Sequence, residues 1–126
     1  MAGQSEEFKQ RLARASEIDL SVKGRKSGRT ITMPVWFVWE NPGQGGNEGT
    51  LYLLPYRGTD TEWYKNVLAY PTITLKAGPA TAECQLTPIT DAAKVSVIVE
   101  QFRSKYGVGN VKTYYQKFDV AARAQL

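Results

Sequence analysis

The chain contains no histidine. That absence removes Ser-His-Asp and Cys-His catalysis and most transition-metal sites. Its single cysteine, Cys84, cannot form an intramolecular disulfide or a thiolate cluster, a usage that fits a reducing compartment. No run approaches the ~20 apolar residues of a membrane span, and no N-terminal apolar stretch follows a basic region. The expectation is a soluble, cytoplasmic protein with no membrane partner. Repeats, low-complexity tracts and dividing linkers are also absent, so the 126 residues are read as one domain over 1–126. Chemistry must then come from carboxylates, tyrosines, lysines or a cofactor.

What is present is an ordinary globular composition with a net charge of +4. A basic balance favours an anionic partner. The most informative stretch runs from Leu20 to Trp39. It reads as a strand, a tight basic turn and a second strand ending in Trp36, Phe37 and Trp39. The turn holds Lys23, Gly24, Arg25, Lys26, Ser27 and Arg29. Its glycines allow a turn that exposes backbone N–H groups, and the cations add donors around that concavity. Such a turn suits a phosphate, and the flat strand beside it suits a flat ring. The turn is not a nucleotide phosphate loop. That motif needs glycine where Arg25 and Leu20 stand, and a helix must follow it.

The spacing predicts a helix over 5–15, capped by Ser5, with Phe8 and Leu12 on one face. Alternation predicts a strand over 18–22, and β-branched and aromatic residues predict one long strand over 30–40. Pro34 cannot donate to a ladder, which places it at an edge, at a bulge or against a ligand. A loop over 41–49 joins this strand to a third over 50–56. The turn Arg57-Gly58-Thr59 precedes a helix capped by Asp60 or Thr61 and running to about residue 69. Strands over 72–75 and 81–86 form a hairpin through Gly78-Pro79. A helix capped by Thr90 or Asp91 runs to Tyr106, with Val95, Ile98, Val99 and Phe102 at helical spacing. A short helix is read over 111–118, and the tail 121–126 as mobile or docked on a partner. An antiparallel sheet of this order hides its edges best by curling into a barrel. The fold class is α+β, mainly β.

The second basic turn ends a strand and opens a helix, whose free N–H groups favour an anion. Two such turns can converge on one anion. On the helix after it, Trp63, Val67 and Tyr70 form a packing face, while Lys65 and Asn66 lie off that face and can reach the same ligand. Near the C-terminus, Tyr106, Tyr114 and Tyr115 read first as core or interface. With no histidine present, Tyr114 or Tyr115 is the weaker candidate for a proton donor. Cys84 reads as a small buried hydrophobe.

The stretches GRKSGR, MPVWFVW and YRGTDTEWYKNVLAYP, in that order, resemble the deazaflavin-dependent nitroreductase family of split β-barrel oxidoreductases, relatives of the pyridoxamine-phosphate-oxidase-like proteins. The resemblance spans Leu20 to Leu86. It implies a split barrel of antiparallel strands with flanking helices, coenzyme F420 (alternatively FMN) and hydride transfer to a small organic substrate. It implies that Arg25, Lys26, Ser27 and Arg29, with Arg57, Gly58 and Thr59, hold the phosphate and acidic tail. Met33, Pro34 and Val35 line the ring, as does the strand ending near Tyr56, while Trp63, Lys65 and Asn66 sit at the cofactor or support its turn. Many members carry Arg three residues before the strand proline, where this chain has Ile31. Barrels of this type dimerise, so a homodimer is expected. A non-catalytic carrier of a flavin-like cofactor is the other reading on this scaffold. Nucleic acid is not expected as a partner, because the basic residues sit in two tight turns and not along a groove.

Overall fold

The computed structural model describes residues 8–40 and 49–125. Helix α1 contributes residues 8–12. There follow β1 (Ile18–Lys23), β2 (Thr30–Val35), β3 (Val38–Glu40), β4 (Thr50–Leu53), a 3-10 turn (Gly58–Asp60), α2 (Glu62–Ala69), β5 (Thr72–Ala77), β6 (Ala80–Ile89), α3 (Ala92–Tyr106), α4 (Val108–Tyr114) and β7 (Ala121–Gln125). The strands form one seven-stranded sheet in the order β2-β1-β5-β6-β7-β4-β3, and every pairing is antiparallel.

Strands β2 and β3 lie at opposite edges of that sheet, yet only Trp36 and Phe37 separate them in the chain. Three Cα–Cα steps reach about 11 Å at most. The two edges must therefore meet, and the sheet curls into a barrel with its seam at Trp36-Phe37. This is the split barrel with flanking helices expected from the sequence. It also corrects one expectation: 30–40 is not one continuous strand. The chain leaves one edge and joins the other, so the Phe37 backbone can enter neither ladder. Helix α3 satisfies it instead. The Phe37 N–H donates to the Tyr106 hydroxyl at 3.0 Å, and Lys105 Nζ donates to the Phe37 carbonyl at 2.9 Å. The single Tyr106 proton faces the carbonyls of Ser16 (2.8 Å) and Phe37 (2.9 Å). Pro34 sits in the edge strand β2, opposite Asp19, where it interrupts no second ladder.

The tail is the larger correction. It is β7, an interior strand between β6 and β4, with Ala121, Ala122 and Ala124 fully buried. Its neighbours explain the composition. Ala122 and Ala124 face the barrel interior, among Leu20, Leu51, Leu53, Ile73, Leu75, Trp63 and Val67. Ala121 faces a second core, where Val95, Ile98, Val99 and Phe102 of α3 pack on Val38, Tyr52, Leu54, Val111 and Tyr115. At these three covered positions small side chains fit best, while Arg123 and Gln125 stay exposed. Alanine carries little strand signal, which is why the segment reads as a tail. Each large side chain buried in these cores contributes about 1.5–3 kcal/mol.

Smaller differences are local. The third strand ends at Leu53, and α4 spans Val108–Tyr114 in place of 111–118. Asp91 caps α3 through the Lys94 N–H at 2.9 Å. Thr61 stands at the N-cap position of α2, but its hydroxyl accepts from the Arg57 N–H (2.9 Å) and caps nothing. The Ser5 cap and the loop residues 41–48 lie outside the described residues, although Glu40 and Thr50 pair across that connection. Among the described residues, no helix is long and apolar enough to cross a membrane.

Candidate functional site

The seam opens into a cleft of about 540 Å³. Strand β2 and the crossover after it supply Met33, Pro34, Val35 and Trp36. The segment after β4 supplies Leu54 and Tyr56, α2 supplies Trp63, and the end of α4 supplies Tyr114 and Tyr115. Glu17, just before β1, completes the lining. Seven of these residues, Met33, Pro34, Val35, Tyr56, Trp63, Tyr114 and Tyr115, are the apolar and aromatic candidates chosen from the sequence. The fold brings them together from four separate segments.

Trp36 is fixed from behind. Its ring stacks on Tyr106 at 4.3 Å and 7°, and Tyr106 in turn holds the Phe37 backbone. Tyr114 meets Trp36 edge-on at 5.4 Å and 76°, and Tyr115 lies 6.0 Å away, tilted by 52°. Edge-to-face and offset pairs of this kind contribute about 0.5–1.5 kcal/mol each beyond burial. Burial raises the Tyr115 phenol well above its ordinary range, and the nearby Tyr106 adds to that. Burial also pushes Tyr106 up to about 12, opposed by its bond to the Phe37 backbone and reinforced by Glu17. Both are neutral phenols at neutral pH. Lys105, with Nζ 3.5 Å from the Phe37 ring centre, is lowered by burial to about 8.

The two basic turns both attach to the start of α2, but in different ways. In the first, the Arg25 N–H (3.1 Å) and guanidinium (2.8 Å) donate to Oδ1 of the buried Asn66, and the guanidinium pairs with Glu62 at 3.1 Å. That bond and the Arg25 charge hold the Glu62 carboxyl below its usual range. Ser27 Oγ accepts from the Arg29 N–H at 3.2 Å. Lys26 and Arg29 are exposed. Lys23 lies 4.5 Å over the Tyr70 ring, and Lys65 is 3.9 Å from Glu62. Asn66 thus supports the turn, one helical turn beyond Trp63 in the cleft wall.

The second turn is filled by the chain itself. The Thr59 N–H and hydroxyl donate to the Asp119 carboxylate at 3.0 and 2.8 Å. Lys117 bridges Asp60 (3.4 Å) and Asp119 (3.5 Å). The Gln116 N–H donates to the Tyr56 carbonyl at 2.7 Å, and Arg57 pairs with Lys117 through the backbone. Burial pushes the Asp119 carboxyl up, but the two Thr59 bonds and Lys117 outweigh it and hold the group below its ordinary value. Residues 116–119 are thereby fastened to 56–60, and each segment adjoins a tyrosine of the cleft.

Sequence reasoning had no means to find Glu17, Tyr106 or Asp119 in these roles, since each meets its partners across long separations. Trp36 carried a signal, as the residue directly after Pro34-Val35. Cys84 on β6 is half-buried, and burial first, then Glu83, raises its thiol to about 11, an unreactive group away from the cleft. No three metal-ligating side chains come together among the described residues.

No family model and no curated protein matches this chain. Solved structures do. An F420-H2 dependent reductase, FDR-A, superposes with TM-score 0.62 at 18% identity, covering 86% of this chain and 93% of that one. A protein solved as a domain-swapped dimer matches with TM-score 0.63 at 16% identity, over 97% of both chains. The heme storage protein HutZ from Vibrio cholerae matches with TM-score 0.60 at 14% identity, over 97% and 88%. At these identities the likeness establishes the split-barrel fold.

Proposed function

We propose that this protein is an oxidoreductase that binds a deazaflavin cofactor of the F420 type at the barrel seam and transfers a hydride between it and a small organic substrate. One observation carries the reading. A cleft of about 540 Å³, a volume typical of ligand sites, is walled by the Met33-Pro34-Val35 edge and five aromatic rings. The basic turn that accepts an anion hangs on the helix that supplies one of those rings. The residues fit the group: apolar, ring-lined walls for the deazaflavin ring, and Lys26, Arg29 and the exposed Ser27 for a phosphate. FDR-A, an F420-H2 dependent reductase, has this fold and supports the choice of cofactor. The protein that swaps domains to dimerise supports a homodimer.

When bound, the cofactor supplies the hydride chemistry. The chain supplies binding, orientation and dryness. Trp36, held by Tyr106, fixes one wall, and Trp63 and Tyr56 the others. Tyr115, whose phenol burial keeps protonated, and the Tyr114 hydroxyl beside it are the groups placed to donate a proton to a substrate. FMN is the alternative cofactor. Haem, held by a structural neighbour, meets no histidine here to ligate its iron.

The test is a fluorescence titration of the purified chain with F420, FMN and haemin, followed by a reductase assay over a substrate panel. Tight binding of F420 with turnover is expected. Failure of F420 to bind at tens-of-micromolar concentration overturns the reading. Tight binding without turnover favours a carrier.

A further inference from the structure

We propose that the seam cleft is a binding site for a flat organic cation, a quaternary or N-alkylated aromatic ammonium. The carrying observation is the charge census of its walls. Five rings line it, those of Trp36, Tyr56, Trp63, Tyr114 and Tyr115, and among the described residues the only charged one in the lining is an acid, Glu17. No lysine or arginine reaches it, although the chain carries sixteen. Trp36 and Tyr114 stand at 76°, so the two rings form a corner rather than a flat wall. Ring faces attract cations through their quadrupole, most strongly where water is excluded. Glu17 adds an exposed carboxyl group at the cleft's edge, and it forms no ion pair with another described residue.

The nearby cations are committed elsewhere. Lys105 points its ammonium at the Phe37 carbonyl and ring. Arg25 is held by Asn66 and Glu62. An anion in the cleft therefore meets an acid and electron-rich faces, while a cation meets attraction from both. A primary ammonium needs acceptors for three protons, and the lining supplies few. A quaternary or ring-alkylated nitrogen needs none. This preference belongs to the walls of the cofactor-free cleft and does not depend on the proposed deazaflavin reading.

The test uses the full chain without cofactor. Calorimetric titration compares N-methylquinolinium with quinoline and with quinoline-4-carboxylate at neutral pH and low salt. The cation is expected to bind about tenfold tighter than quinoline, with the carboxylate weakest. Glu17→Gln, a surface change, is expected to reduce the cation's advantage about threefold. Trp36→Leu is expected to remove most of the remainder. Equal affinities for quinoline and N-methylquinolinium, or an advantage untouched by both substitutions, overturn the proposal. Because no cofactor is present, either result stands apart from the F420 titration.

Discussion

The two basic turns have nearly the same vocabulary, Gly-Arg-Lys-Ser-Gly and Arg-Gly-Thr, and different fates. The first is held from the helix side by Asn66 and Glu62, and its Lys26, Ser27 and Arg29 remain exposed. The second has its Thr59 N–H and hydroxyl taken by Asp119, sixty residues further along. Composition alone makes both turns anion sites. The structure shows that an anion site can be satisfied from within, by a carboxylate that sequence distance conceals. We therefore propose the first turn as the one that takes a ligand's phosphate; the second fastens the segment behind Tyr114 and Tyr115.

Two glycines allow that contrast to be broken directly. Gly28 and Gly58 both hold positive φ, 73° and 56°. A Cβ at Gly28 meets nothing within 4 Å, whereas one at Gly58 falls 1.9 Å from Asp119 Oδ1. Gly28→Ala is expected to cost about 1 kcal/mol, the backbone penalty alone. Gly58→Ala is expected to cost about 3 kcal/mol, because it also expels the carboxylate and strands the Thr59 donors. Chemical denaturation reads both. Equal losses would mean that Asp119 is not a working part of the second turn.

These turns also show what was legible. Alternating Ile18, Leu20 and Val22, the aspartate cap of α3 and the Gly78-Pro79 hairpin are local signals, and the fold follows them. The apolar residues of the cleft were legible because a mid-strand proline and a run of aromatics require explanation. What escaped was set by tertiary context. β7 is a strand because Ala122 and Ala124 are buried in the barrel interior and Ala121 in the second core, not because Ala-Ala-Arg-Ala-Gln favours extension. The break at Trp36-Phe37 exists because the barrel closes there, and the group that tolerates it, the Tyr106 hydroxyl, is 69 residues away. Asp119 has no local mark at all.

A second pair of substitutions sharpens the comparison by separating affinity from stability. Lys26→Ala removes an exposed cation that no described residue pairs with. It is expected to weaken F420 binding about fivefold at low salt, less at high salt, with the denaturation midpoint unchanged. Thr59→Val removes one donor to Asp119 and is expected to lower stability by about 1 kcal/mol without weakening F420. Loss of affinity in Thr59→Val matching that in Lys26→Ala would return the second turn to the ligand site.

The smallest expected effect is a pH dependence confined to one turn. The Asp119 carboxyl titrates below its ordinary 3.8 in the folded chain, so the folded state binds fewer protons than the unfolded one through that window. Its contribution is full above 3.8 and is lost as pH falls through the folded value. Lys117 mirrors it. Its bond to Asp60, then Asp119, raises it above 10.5, so its contribution is full below that value and is lost as pH rises through the folded one. In the first turn Arg25 also loses its Glu62 partner in acid, but Asn66 carries no charge and keeps both its bonds. Denaturation midpoints followed into the acid range should therefore fall less steeply in Asp119→Asn than in the wild type. Glu62→Gln should change that slope less. Superimposable acid limbs for wild type and Asp119→Asn would show that the fastening is held by Lys117 and the backbone, with the Asp119 charge contributing nothing.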